Sequence, residues 1–128
     1  MRVPKQDRTQ ARERLARDQE LADRLPELLK SVSETEDALD SARQHNAPVG
    51  ELRDRGLALD TALTDAMRAA YAHERVLVGP KGYVDRIQRR KRMARPGVKR
   101  ATRIAERLLT EREAHRLHGI QRVPRRVV

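Results

Sequence analysis

Cysteine, phenylalanine and tryptophan are all missing from this chain, and tyrosine occurs only twice. Without cysteine there is no disulfide staple and no thiolate metal site, and nothing marks the chain for an oxidising compartment. Without aromatic bulk the core has to be aliphatic, yet 128 residues supply only 14 Leu, 10 Val and 3 Ile, with alanine making up much of the rest. A domain of this size normally buries about two-thirds of its unfolded surface. So thin a core predicts that a partner subunit or nucleic acid completes the burial. Long apolar runs are also missing. The longest strictly aliphatic stretch is Val76-Leu77-Val78, against the roughly 20 residues that span a bilayer. The opening stretch Met1–Arg8 is polar, without the apolar centre of a secretory signal. A soluble cytoplasmic protein, of the nucleoid- or phage-associated kind, is the expectation, with no membrane partner.

Catalytic constellations are absent too. Gly79-Pro80-Lys81-Gly82 has the glycines of a phosphate-cradling loop but not the Walker spacing, and reads as a hinge. Glu111, His115 and His118 stand at i, i+4 and i+7, one helical face that could meet a divalent metal. No supporting cluster accompanies them, and they read as surface residues, as does His73 beside Glu74. No enzyme activity, metal, cofactor or small-molecule substrate is expected.

What the chain does have is charge, unevenly spread. It carries 24 Arg and five Lys against 19 acidic residues, a net +10. Codon bias can produce such an arginine excess, and so can a need for forked contacts to phosphate, which lysine cannot make. Residues 1–17 carry six basic and two acidic groups, residues 18–78 a net −6, and residues 79–128 sixteen basic against four acidic groups, a net +12. A basic arm, an acidic middle and a very basic end point to a polyanionic partner.

The acidic middle has helical periodicity. Leu21, Leu25, Leu28, Val32, Thr35, Leu39 and Ala42 follow one another at intervals of four and three, a heptad seam with one polar member. Pro26 interrupts it, so a helix starts or bends there. In residues 5–24, also helical in pattern, Arg14 and Asp18 break the seam. A second seam runs Leu52, Gly56, Leu59, Leu63, Ala66, Ala70, His73, Leu77. Between the two, His45–Gly50 is rich in loop residues. Two such helices joined by a short loop pack antiparallel. Their facing residue numbers then sum to about 95, so that Leu39 meets Gly56, Val32 meets Leu63, and Leu25 meets Ala70. Leu57, Met67, Tyr71 and Val78 widen the apolar stripe of the second helix beyond what one neighbour covers. Either the C-terminal helix or a second subunit should lie over it.

Beyond the hinge, Arg86, Arg89, Arg90, Lys91, Arg92 and Arg95 nearly encircle a short segment that self-repulsion should destabilise until phosphates neutralise it. Arg95-Pro96-Gly97 follows as a turn. A longer helix runs from Val98 to about His118, with Val98, Ala101, Ile104, Ala105, Leu108 and Leu109 on one face and Lys99, Arg100, Arg103 and Arg107 on the other. Helix, turn, helix is the outline of a helix-turn-helix, but Gln88 is the one side chain suited to reading bases. Backbone contacts should therefore dominate over sequence readout.

The expectation is an all-α protein: an antiparallel, coiled-coil-like helical hairpin followed by a basic two-helix C-terminal segment. Residues 1–24 form a basic helical arm, 25–78 an acidic hairpin that associates subunits, and 79–128 a nucleic-acid-binding segment with a flexible tail. The expected function is that of an oligomeric nucleic-acid-binding protein of architectural, packaging or mobilisation type, with DNA ahead of RNA. Arg86, Arg89, Arg90, Lys91, Arg92, Arg95, Lys99, Arg100, Arg103 and Arg107 would grip phosphates. Leu25, Leu28, Val32, Leu39, Leu59, Leu63, Met67 and Tyr71 would form the homo-oligomer. The alternative is a structural or adaptor subunit whose basic end docks on an acidic protein or lies within a ribonucleoprotein.

Overall fold

The computed structural model describes residues 4–122. Five α-helices follow in order: α1 (Lys5–Asp23), α2 (Leu25–Gln44), α3 (Val49–Val78), α4 (Arg86–Met93) and α5 (Pro96–Ala114). A 3-10 turn (Pro80–Tyr83) joins α3 to α4, and a π-helical turn (His115–Gly119) closes α5. Among the described residues there is no strand, as expected for an all-α chain. The expected flexible tail lies, from residue 123 onward, outside them.

The breaks fall where the covalent chemistry puts them. Pro26 has no N–H to offer the carbonyl of Ala22 and its ring crowds that carbonyl, so the first helix ends at Arg24 and α2 starts with Pro26 in its first turn. Asn46 takes a left-handed φ of 53° after α2, and Ala47 N–H bonds back to the Ala42 carbonyl at 3.0 Å. That bond satisfies one of the carbonyls a helix end leaves open. Gly79, with φ 93°, ends α3 in a conformation that a side chain would disfavour.

The long α3 is the organising element and packs against α1, α2 and α5. Half of its buried residues are alanine: Ala62, Ala66, Ala69, Ala70 and Ala72. Leu25, Leu28, Val32 and Leu39 from α2, with Ala105 and Leu108 from α5, join Ala62, Ala66, Ala69 and Ala70 in one core cluster. Methyl side chains let helix axes come close, and the longer leucines fill the space between, which is how close packing is reached without aromatics. The polar seam member Thr35 is accommodated because its hydroxyl donates to the Ser31 carbonyl at 2.8 Å.

One expectation for α3 narrows to a single neighbour and another needs correction. Of the two neighbours expected for the wide stripe on α3, α5 of the same chain packs against that helix, while Leu57 of the stripe stays 40% exposed. Accordingly, Leu25, Leu28, Val32, Leu39, Leu59 and Leu63 are buried in the chain's own core, with Met67 and Tyr71 packed half-buried against it. These eight residues, expected to associate subunits, pack within one chain. The correction is at Gly56. It does not face Leu39: a Cβ there would lie 3.5 Å from Ile120 Cα and 3.7 Å from the Gly119 carbonyl oxygen. The chain after α5 takes the place that the seam pattern assigned to α2.

Candidate nucleic-acid interface

The two basic stretches, far apart in sequence, are brought to one end of the bundle. Helix α1 packs against α3 and the 3-10 turn, and α4 packs mainly against that turn. Two neighbouring residues of α3 fasten these pieces. Arg75 donates two hydrogen bonds to Asp18 of α1, at 2.9 and 3.0 Å, and the Tyr83 hydroxyl donates to the same carboxylate. Glu74, the one buried charged side chain among the described residues, accepts from the Thr102 hydroxyl of α5 at 2.7 Å and lies 4.0 Å from Arg89 of α4. Asp18 is therefore no defect in a seam but a clasp. Burial alone would raise its pKa, but the hydrogen bonds from Arg75 and Tyr83 and the Arg75 charge outweigh that and hold the carboxyl below the usual value of 3.8. Burial, and then the same carboxylate, push the Tyr83 phenol well above its ordinary range.

The resulting molecule is polarised. Residues 5–18 and 72–107, which share this end, carry 17 basic and six acidic side chains, a net +11. Residues 31–60 and 108–122, at the opposite end, carry six basic and nine acidic, a net −3. The cations also differ in their employment. At the acidic end Arg116 pairs with Asp60 at 2.6 Å, Arg43 donates to the Gly119 carbonyl at 2.8 Å, and Arg112 donates to Thr64 at 2.7 Å. At the basic end Arg86, Arg90, Lys91, Arg95, Lys99, Arg100, Arg103 and Arg107 are exposed. Among the described residues, none of these eight has a carboxylate within 4.0 Å.

Of the ten residues expected to grip phosphate, Arg89 is exposed but shared with Glu74, and Arg92 is placed otherwise. Arg92 is half-buried, its Nη1 donates to the Val78 carbonyl at 3.0 Å, and its buried Nε has no partner. It closes the end of α3, whose last carbonyls need donors, and is not part of the outer cationic surface. Segment α4 is helical despite its charge because Asp85 caps it, its Oδ1 accepting from Ile87 N–H at 2.9 Å and Gln88 N–H at 3.2 Å. Such a cap is worth about 1 kcal/mol.

The basic N-terminal arm, expected with the basic end to contact the polyanion, is brought to the same surface by packing that spacing alone did not reveal. Arg8 and Arg12 of α1 line an open groove of about 490 Å³ together with Lys81, Asp85 and Gln88. Ala11, Pro80 and Val84 form its apolar floor. The apolar residues flanking the hinge were the available signal, since they need a neighbour. Gln88, the candidate base reader, is half-buried in this groove.

Among the described residues no group of three or more His, Cys, Asp or Glu is placed to hold a metal ion. His115, read from sequence as a surface residue, is half-buried with its Nε2 2.6 Å from the Gly56 carbonyl oxygen. No described helix is long and apolar enough to cross a membrane. No family model, no curated protein and no solved structure matches the chain.

Proposed function

We propose that this chain binds duplex nucleic acid, DNA ahead of RNA, by its phosphate backbone through the cationic end of the bundle. The observation that carries the reading is the convergence of both basic stretches on one end with a net +11, where eight exposed cations are left without a carboxylate. A fold that wanted only solubility would intersperse both signs, because like charges held together repel. Here nine of the acidic residues that could have relieved the repulsion lie at the opposite end. The two tyrosines offer no ring for stacking on single strands: Tyr83 is tied to Asp18 and Tyr71 packs on the core. Single-strand binders rely on such rings, so a duplex is favoured. Recognition is then of backbone and shape, in which Arg forks suit phosphate oxygens.

The seam residues being used within the chain, the proposed binding unit is one chain, and self-association is not needed to form the cationic surface.

The test is a salt titration of binding. Each phosphate neutralised on B-DNA adds about 0.9 to the slope of log affinity against log salt. Six engaged cations would lower affinity by about three orders of magnitude between 50 and 200 mM salt. Replacing Arg86, Arg90, Arg95 and Arg103 together by Ala should flatten the slope by roughly three to four units and leave the circular dichroism spectrum unchanged. Duplex RNA, measured alongside, should bind more weakly. No affinity for duplex DNA at low salt, or a slope unmoved by the quadruple replacement, overturns the proposal and leaves the adaptor reading in its place.

A further inference from the structure

Helix α4 is oriented against expectation. Its half-buried side includes the polar Gln88 and Arg92, whereas its one β-branched aliphatic residue, Ile87, is 68% exposed. Burying an isoleucine is among the larger gains open to so short a helix, and this one is turned outward. Around it, Arg86, Arg90 and Lys91 line the same shallow surface depression. Proteins that bend duplex DNA through its minor groove combine these two features, cations for the phosphates and an apolar side chain pressed between base steps. We propose that Ile87 is an apolar wedge through which α4 contacts and bends duplex DNA, with Arg86, Arg90 and Lys91 on the flanking phosphates.

The inference rests on the duplex-binding reading above and adds a contact that phosphate neutralisation does not require. A membrane surface is the competing partner for an isoleucine among arginines. Interfacial helices, however, bury a whole apolar face, and α4 offers one exposed apolar side chain, its neighbours Val84 and Met93 being half-buried. A single wedge fits a base step better than a bilayer.

The experiment uses the full chain and a duplex of about one and a half to two turns (roughly 20 base pairs), dye-labelled at both ends, with a flexible TA step at its centre. Wild type should raise the energy transfer on binding, as a bend of about 20–90° would do. Ile87→Ala should bind about tenfold more weakly, the equivalent of losing between one and two buried methylene groups. It should also fail to bend the duplex while keeping the wild-type salt slope, because no cation is removed. Ile87→Leu should restore the bend. Wild type that binds without bending, or Ile87→Ala that binds and bends like wild type, overturns the wedge and leaves phosphate binding standing. A protein that binds phosphatidylserine vesicles but no duplex overturns both proposals. Since Ile87 is exposed, none of these variants disturbs the core.

Discussion

Replacing Asp18 by Asn tests whether the clasp between α1, α3 and the 3-10 turn holds the cationic end together. The side chain is close to isosteric, so packing is preserved while the charge is lost. Asp18 is 14% exposed and Arg75 43% exposed at the side chain, with two Arg75 hydrogen bonds at 2.9 and 3.0 Å and a third from Tyr83. Hydrogen bonds to charged groups contribute about 1.5–3 kcal/mol each. Two of them face Arg75, which water can partly re-solvate, so the sum is discounted to about 2–4 kcal/mol for the variant. The contrasting pair is Lys30–Glu34, at 3.9 Å with side chains 78% and 66% exposed, and Glu34→Gln should cost at most about 0.5 kcal/mol. Urea unfolding at neutral pH checks both. In thermal terms Asp18→Asn should lower Tm by roughly 10 °C. The pH dependence follows from the same contact. Asp18 and Asp60 have folded pKa values below 3.8. Their stabilisation is therefore complete above 3.8 and disappears as pH falls through the lower folded values. Asp18→Asn should flatten that acid limb. If Asp18→Asn and Glu34→Gln lose the same small amount, the clasp is not what docks α1.

Gly56→Ala should stabilise by about 0.5–1 kcal/mol in urea unfolding, since its Cβ meets Ile120 and Gly119 at ordinary contact distances of 3.5–3.7 Å. Gly56→Leu should instead destabilise, because the longer side chain must enter that backbone. Ala66, fully buried on α3, should lose about 1–3 kcal/mol or more on replacement by Leu. Leu63→Asp, placing a charge in the same core, should cost several kcal/mol and abolish the cooperative melt. Arg92→Ala should lower stability through the freed Val78 carbonyl yet leave the salt slope of DNA binding within half a unit of wild type. Arg90→Ala should do the reverse, reducing the slope by about 0.9 without a stability change.

The all-helical class and the breaks at Pro26, at Asn46–Pro48 and at Gly79 were legible in the sequence because they depend on local properties. Apolar periodicity sets which face a helix buries, and the missing N–H of proline and the free φ of glycine act within one turn. The charge imbalance was equally legible, as it is a matter of counting. What the sequence could not decide is which neighbour covers which face. The stripe on α3 suits either α5 or a second copy equally well by pattern, and only the tertiary arrangement brings α5 of the same chain against it, with Leu57 left exposed. The same holds for the cations. Arg92 and Arg90 are chemically identical and two positions apart, yet one caps the end of α3 while the other faces solvent. Asp18 looked like an interruption until Arg75 and Tyr83, 57 and 65 residues away, were brought to it. Periodicity records the direction of a side chain about its own helix axis. The partner it meets depends on the relative placement of helices, which is settled by how alanines and leucines fit together across the whole bundle.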